Sequence, residues 1–388
     1  MNTIEKDQLY LAGTYGRFPL EIVSGKGSVA LGADGKEYID MGAGIAVNTF
    51  GYADGVFTSA VAEQLSKVQH TSNLYYTAPA ANLAEALVKK SGMKKVFFGN
   101  SGAEANECAI KTARKWGVEN KGEGAYNIVT LKNSFHGRTV TTLSATGQDV
   151  FHKNFDPFTQ GFVYAPMGDE AALESLVADK TCAVMIEFVQ GEGGVNVLPE
   201  SYVKKIFELK KQKNFLVIAD EVQTGNGRTG KYFAYQLYGV TPDIVTTAKG
   251  LGGGLPIGAC LFGDAVKDVL GKGDHGSTFG GNPAVAAGAL SVVNRIDDKL
   301  LKEVSEKGEY IKNKLAGKPG ISSVSGVGLM LGVAVAADAK KVVSSCLNKG
   351  VLFLTAKDKV RLLPALNIPY ELLDKAIDVL LEAVKEEL

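Results

Sequence analysis

The chain has no excess of charge of either sign, because 42 Lys and Arg residues balance 42 Asp and Glu residues among 388 residues. A balanced charge does not favour binding to nucleic acid or to anionic membranes, so neither partner is expected. Long apolar runs are also missing, and the run at 182–186 is far below the roughly 20 residues that a membrane-spanning helix needs. Residues 1–13 contain no apolar segment, so we expect no secretory signal.

Cysteine is scarce, with four residues far apart in sequence: Cys108, Cys182, Cys260 and Cys346. None belongs to a C-x-x-C pair, which indicates reduced, mostly buried thiols in a cytoplasmic protein. The four His and four Cys residues show no metal-ligand spacing, so no metal site is expected. Glycine is abundant instead, with 46 residues, about 12% against a usual ~7%.

Apolar runs alternate with helical patterns from about residue 95 to residue 262, which predicts an α/β fold with a mostly parallel sheet. The runs at 182–188 and 215–219 are nearly continuous, which is typical of strands buried on both faces.

The two ends of the chain have a different character. A hairpin is predicted over 28–41, and residues after about 283 predict a smaller α+β domain that includes a strand over 327–335. We therefore expect an N-terminal segment, 1–50, that packs with a C-terminal small domain, 284–388. A large domain over 51–283 lies between them in sequence.

A segment of small residues, 100–106, follows a predicted strand and opens a helix. Small residues at a helix N-terminus let backbone N–H groups approach a phosphate. The alternative is an ordinary N-cap at Ser101, with Glu104 completing a capping box.

Two charged residues stand at the ends of apolar runs. Asp220 ends a strand where α/β sheets bind ligands, and such an acid can hold a cationic ring nitrogen; alternatively it caps the next turn. Lys249 follows the run at 244–248, which holds only apolar residues and Thr. A lysine with apolar neighbours can be neutral enough to react with a carbonyl group, although a solvated loop lysine is more common.

The segment at 225–230 has the spacing G-x-G-x-x-G, but it does not follow its strand directly and no apolar helix comes after it. We interpret it as a loop and not as a dinucleotide site. Arg138 and Arg361 suit substrate carboxylates, because guanidinium groups bind carboxylates bidentately, although a single arginine is more often structural.

Together these segments resemble the class III, or ornithine-type, aminotransferases, which have the type I fold of pyridoxal-phosphate enzymes. The resemblance covers nearly the whole chain, and its most specific stretch is 218–259. Within the family it is greatest to the enzymes that act on acetylornithine, on the segments 14–19, 44–48 and 72–76. The family pattern is broken at 52–55, Phe188 and Ala365.

The resemblance implies roles for individual residues. Lys249 would bond covalently to pyridoxal phosphate and later move a proton, and Asp220 would pair with the ring nitrogen. Further cofactor contacts would come from Gly102, Ala103, Phe135, Val222, Gln223 and, from the neighbouring subunit of a homodimer, Thr278. Substrate contacts would come from Arg138, Ser277, Tyr15, Glu192 and Arg361.

The implied reaction moves the terminal amine of acetylornithine to 2-oxoglutarate and yields glutamate. Arg138, with Tyr15, would bind the carboxylate of acetylornithine, and Arg361 the α-carboxylate of glutamate. Glu192 would pair with Arg361 until glutamate arrives. One alternative is another amine substrate: ornithine, succinylornithine, 4-aminobutyrate or an acylated lysine. A second is another pyridoxal-phosphate reaction, such as that of an aminomutase. A third is a non-catalytic protein that binds phosphate or nucleotide.

Overall fold

The structure is a computed structural model that describes every residue from Met1 to Leu388. The first elements are α1 Thr3–Tyr10, β1 Ile22–Lys26, β2 Val29–Gly32, β3 Glu37–Asp40, the short turn α2 Ala43–Ala46, α3 Gly55–Leu65 and α4 Ala78–Ser91. The three strands pair antiparallel in the order β1-β2-β3, and this confirms the hairpin predicted over 28–41.

The turn α2 is wound left-handed. Ala43, Ile45 and Ala46 have φ angles of 45°, 63° and 61°, and Gly44 between them has 64°. Left-handed backbone costs L-residues roughly 1–2 kcal/mol each, so the surrounding contacts must hold this turn. The Asp40 carboxylate supplies two such contacts, because it accepts hydrogen bonds from the N–H groups of Gly42 and Ala43 at 2.8 Å each.

A seven-stranded sheet forms the centre of the molecule. The elements of this region are β4 Lys95–Gly99, α5 Gly102–Lys121, β5 Asn127–Leu131, α6 Val140–Ala145, β6 Phe162–Ala165, α7 Glu170–Leu176, β7 Thr181–Ile186, β8 Val189–Gln190, β9 Asn196–Val197, α8 Glu200–Lys213, β10 Leu216–Asp220, β11 Ile244–Thr247 and β12 Gly258–Phe262. The strand order is β4-β12-β11-β10-β7-β5-β6. Only β12 runs antiparallel to its neighbours, so the prediction of a mostly parallel sheet is confirmed.

The central strands are buried on both faces, as their continuous apolar sequences predicted. Every residue of β7 and of β10 is buried. Helix α5 packs on this sheet with the small residues Ala105, Ala109 and Ala113, all fully buried. This close packing brings the first turn of α5 to the same edge of the sheet as the carboxyl ends of β10 and β11.

The C-terminal elements are α9 Pro283–Val293, α10 Asp298–Leu315, β13 Ile321–Val327, β14 Met330–Val335, α11 Ala339–Asn348, β15 Val351–Leu352, β16 Leu354–Ala356, β17 Lys359–Leu362 and α12 Tyr370–Glu386. They contain an antiparallel sheet in the order β13-β14-β17-β16. The strand predicted over 327–335 is confirmed as β14 but begins three residues later, because Gly328, with φ of 56°, turns the chain between β13 and β14. Strand β15 pairs in parallel with β3, so both ends of the chain share a sheet.

The segment at 225–230 is a loop, as predicted, and it contacts the C-terminal elements through a side chain. The Arg228 side chain is buried and donates hydrogen bonds to the carbonyl groups of Leu329 and Pro364. No helix combines the length and the apolar character that crossing a bilayer requires.

Candidate active site

A cavity of about 490 Å³ lies at the carboxyl ends of the central strands. This volume is in the range that small-molecule ligands occupy. It brings together nine residues that the sequence predicted for the site: Gly102, Ala103, Phe135, Arg138, Glu192, Asp220, Val222, Gln223 and Lys249.

Asp220 is the best-anchored acid in the cavity. Its Oδ2 accepts hydrogen bonds from Nδ2 of Asn106 at 2.8 Å and from Nδ1 of His136 at 2.7 Å, and its Oδ1 accepts one from the N–H of Val222 at 3.1 Å. Asn106 is fixed in turn, because its Oδ1 accepts a hydrogen bond from the Thr246 hydroxyl at 2.6 Å. These contacts fix the orientation of a carboxylate that is only 4% exposed.

Lys249 begins the 3-10 turn Lys249–Gly252, with only Ala248 between it and β11, and its φ angle is 45°, in the left-handed region. The carbonyl groups on either side are held by side chains from distant parts of the chain. Asn226 donates to the carbonyl of Ala248 at 3.3 Å, and the Thr49 hydroxyl donates to that of Gly250 at 2.7 Å. The fold therefore holds a strained backbone at this lysine.

The amine of Lys249 makes no hydrogen bond within the chain. Burial lowers its pKa below the ordinary value, while the charges of Asp220, Glu192 and Glu187 act in the opposite direction. A lysine amine with a lowered pKa is neutral in a larger fraction of molecules, and the neutral amine is the nucleophilic form.

Helix α5 opens towards the cavity with small residues. Ser101 is its N-cap, and its hydroxyl oxygen accepts a hydrogen bond from the N–H of Glu104 at 3.2 Å. This cap leaves the N–H groups of Gly102 and Ala103 without a partner inside the helix. The neighbourhood is tight, since a Cβ atom at Gly102 would lie 2.7 Å from Cγ1 of Val222, and one at Gly137 would lie 2.9 Å from Cβ of Ala103. The N-cap at Ser101 is confirmed, but Glu104 does not complete a capping box, because its carboxylate accepts from the N–H of Asn100 at 2.6 Å. The cap and a phosphate site are compatible.

Glu187 lines the same cavity and was missed by the sequence analysis, which counted it within the apolar run at 182–188. It stands one residue beyond β7, and its Oε2 accepts a hydrogen bond from the N–H of Phe135 at 2.9 Å. Burial, followed by the charge of Asp220, raises the pKa of Glu187 well above its ordinary value. A lone acid at the end of a buried central strand was the available signal, and Asp220 gave the same signal.

Arg361 lies behind the cavity on β17 and is 3% exposed. Its Nη1 donates a hydrogen bond to Oε1 of Glu192 at 2.6 Å. Gln223 also donates to this oxygen, at 3.4 Å. Burial tends to raise the pKa of Glu192, but Arg361 outweighs it and the pKa falls below its ordinary value. The two charges are thus a partly buried ion pair.

Arg138 stands at the exposed side of the cavity and forms no ion pair and no hydrogen bond within the chain. Ser277 lies at the edge of the site, where its hydroxyl oxygen accepts a hydrogen bond from Nδ2 of Asn100 at 3.1 Å. Thr278 and Tyr15 do not line the cavity of their own chain, and both are exposed. The structure thus brings together all the predicted residues except these two.

The family described as "Aminotransferase class-III" matches residues 10–384. The chain belongs to the class III aminotransferases. This aminotransferase is 49% identical to an acetylornithine aminotransferase of Haemophilus ducreyi, over 98% of both chains. It is 44% identical to the acetylornithine aminotransferase of Methanocaldococcus jannaschii, over 99% of its own length and 98% of that relative.

Solved structures agree with this membership. An ornithine aminotransferase from Toxoplasma gondii, described with partial occupancy of PLP at its active site, superposes with a TM-score of 0.94 at 33% identity and covers 99% of this chain and 94% of its own. The N-acetylornithine aminotransferase of Stenotrophomonas maltophilia gives a TM-score of 0.85 at 35% identity, over 99% and 98% of the two chains.

The cofactor of this aminotransferase is pyridoxal phosphate, and the cavity fits it. An anchored carboxylate, a lysine amine without a partner and a helix N-terminus surrounded by small residues face one cavity. In pyridoxal phosphate, the carboxylate suits the ring nitrogen, the amine suits the aldehyde, and the helix N-terminus suits the phosphate.

Proposed function

We propose that this aminotransferase transfers the terminal amine of N2-acetylornithine to 2-oxoglutarate in the cytoplasm, giving N-acetylglutamate 5-semialdehyde and glutamate. The observation that carries the proposal is a difference between two arginines: Arg138 lines the cavity without an acidic partner, whereas Arg361 lies behind it and is paired with Glu192, which lines it. Two carboxylate-binding groups in different electrostatic states suit a site that must accept two different substrates in turn. The name shared by its relatives supports the choice of amine.

Each cofactor contact has a residue suited to it. Asp220 would pair with the ring nitrogen, Gly102 and Ala103 would offer N–H groups to the phosphate, and Gln223 would bind the ring hydroxyl. Val222 and Phe135 would hold the two faces of the ring. When bound, pyridoxal phosphate supplies an electron sink for the carbon that carries the amine.

The residues of the chain then carry out the proton transfers. With pyridoxal phosphate bound, the Lys249 amine would be the base that takes a proton from the substrate carbon bearing the amine and the acid that gives it back. Its lowered pKa favours this use as a base. Asn106, His136 and the Val222 N–H hold the Asp220 carboxylate in the orientation in which it would face the ring nitrogen.

The pair of Glu192 and Arg361 distinguishes the two half-reactions. While acetylornithine is bound, no carboxylate adjoins the reacting carbon, and Glu192 keeps Arg361 neutralised. When 2-oxoglutarate or glutamate binds, its α-carboxylate replaces Glu192 on Arg361. Arg138 binds the carboxylate at the far end of acetylornithine, and Ser277 lies beside the substrate.

The active enzyme is a homodimer with shared sites, in which the partner subunit's Thr278 reaches the phosphate. In support, Thr278 is exposed next to further exposed apolar side chains, including Tyr76 and Phe279. Mixing subunits that carry Lys249→Ala with subunits that carry Thr278→Ala tests this arrangement. A hybrid dimer with shared sites contains one site with both residues intact and one with both replaced, so wild-type cofactor affinity returns at one of its two sites. With independent sites every site carries one substitution, and no site recovers.

A panel of amines tests the reaction itself. Purified protein with pyridoxal phosphate and 2-oxoglutarate is given acetylornithine, ornithine, succinylornithine, 4-aminobutyrate or acylated lysine, and glutamate formation is measured. We expect the highest kcat/KM for acetylornithine, and turnover reduced by at least ~10⁴-fold in Lys249→Ala. Preference for another amine would overturn the substrate, and undiminished turnover in the variant would overturn the role of Lys249.

A further inference from the structure

Arg138 is held by aromatic rings instead of acidic side chains. Its guanidinium carbon lies 4.2 Å from the centroid of the Phe151 ring and 5.5 Å from that of the Phe135 ring. The two rings meet edge to face, with centroids 5.7 Å apart. Phe135 is itself fixed by the hydrogen bond from its N–H to Glu187. Phe151, in the 3-10 turn Asp149–Phe151, is therefore the closest aromatic support of the arginine.

This support has a chemical consequence for carboxylate binding. A guanidinium group that packs on a ring by its face keeps its in-plane N–H groups free, and these are the groups that bind a carboxylate bidentately. An acidic partner would occupy the same N–H groups, and a substrate would have to displace it. An aromatic ring stabilises the cation without competing for its donors.

We propose that Phe151 is a specificity-determining residue, which positions Arg138 for the carboxylate at the far end of the amine substrate. The inference rests on the proposed function, in which Arg138 binds that carboxylate. Phe151 acts through Arg138 and needs no contact with the reacting carbon, so it is a positioning residue. Its effect is on the capture of the amine substrate and not on the chemical step.

The test compares Phe151→Leu with Phe151→Tyr, which keeps the ring, and with Phe155→Leu. Phe155 lies in the same loop but is 62% exposed and is not one of the two rings that pack against the Arg138 guanidinium, so Phe155→Leu is a matched control. The half-reaction with acetylornithine is followed by stopped-flow absorbance, which separates the apparent dissociation constant from the limiting rate. We expect Phe151→Leu to raise the apparent constant about threefold to tenfold, with a limiting rate within about twofold of wild type. Phe151→Tyr and Phe155→Leu remain near wild type.

A double-mutant cycle shows whether the effect passes through Arg138. In an Arg138→Ala background, Phe151→Leu should cause no further loss of kcat/KM, because the guanidinium that it positions is absent. An equal loss in both backgrounds, or no change on Phe151→Leu alone, would overturn the inference. Failure of the proposed function is a different result, since wild-type protein would then not react with acetylornithine, and the cycle would be run with the preferred carboxylate-bearing amine of the panel.

Discussion

The two arginines of the site are held in opposite ways. Arg361 lies on a strand, is almost fully buried and pairs with Glu192 at 2.6 Å. Arg138 lies on a loop, is exposed and packs against aromatic rings without any acidic partner. Both are suited to carboxylates, but only one of them is neutralised within the chain.

The difference follows from burial. A buried cation without a counter-charge is costly, so Arg361 requires Glu192 whenever no substrate carboxylate is present. An exposed cation remains solvated and requires no such partner. We infer that Arg361 can bind a substrate carboxylate only when Glu192 is displaced, whereas Arg138 can always bind one. This suits a site in which the α-carboxylate beside the reacting carbon is present in only one of the two half-reactions.

The largest effect is expected from Arg361→Leu. The half-reaction with 2-oxoglutarate should slow by about 10²–10³-fold, because a bidentate, charge-assisted contact is lost. Glu192 would remain without its partner, so the free energy of unfolding should fall by about 1–3 kcal/mol. Stopped-flow absorbance of the two half-reactions and urea unfolding measure these changes. An equal loss in both half-reactions would contradict the conditional role of Arg361.

Arg138→Ala should reduce kcat/KM for acetylornithine by about 10²-fold. Stability should change by less than about 0.5 kcal/mol, since the arginine is exposed and forms no ion pair. The measurements are steady-state kinetics and urea unfolding. A large loss of stability with unchanged kinetics would show that the arginine is structural.

Glu192→Gln removes the counter-charge but keeps the shape of the side chain. Arg361 would then stay charged while acetylornithine is bound, and we expect about tenfold lower kcat/KM in that half-reaction. Glutamate should bind at least as tightly as to wild type, because its α-carboxylate no longer has to displace a carboxylate. Measuring both half-reactions in one variant provides the control, and weaker glutamate binding would contradict the switch.

The smallest effect is expected from Glu187→Gln, because this acid has no paired cation, and burial, followed by the charge of Asp220, raises its pKa. An acid whose pKa is higher in the folded state binds more protons when folded. Its contribution to stability is therefore complete below the pKa of the unfolded chain and falls as the pH rises towards the folded pKa. The slope is at most about 1.4 kcal/mol per pH unit for one proton. Urea unfolding between pH 5 and 9 should show wild type losing stability relative to the variant, and parallel curves would contradict this.

The sequence predicted much of the fold, because continuous apolar runs mark strands that are buried on both faces. The strands at Asp220 and before Lys249 were located in this way, and with them the edge of the sheet at which the cavity lies. The sequence did not show that β12 is antiparallel or that a turn at Gly328 pairs β14 with the preceding strand β13. Strand direction and turns of this kind depend on tertiary pairing.

The site was predicted less completely than the fold. The positions of Asp220 and Lys249 followed from local pattern, whereas the anchors of Asp220 come from sequence positions 114 and 84 residues away. The Thr49 hydrogen bond beside Lys249 spans 201 residues. No local pattern reports such contacts. Glu187 differs from these anchors, because it stands at the end of an apolar run and its local sequence could have identified it as a site residue.

The most direct test of the central claim is the visible absorbance of the purified wild-type protein with pyridoxal phosphate. We expect a band from the lysine-bound cofactor that disappears on addition of acetylornithine alone and returns on addition of 2-oxoglutarate. That sequence of changes requires one site to accept both substrates in turn. A band that never forms, or one that ignores acetylornithine while another amine removes it, would contradict the account.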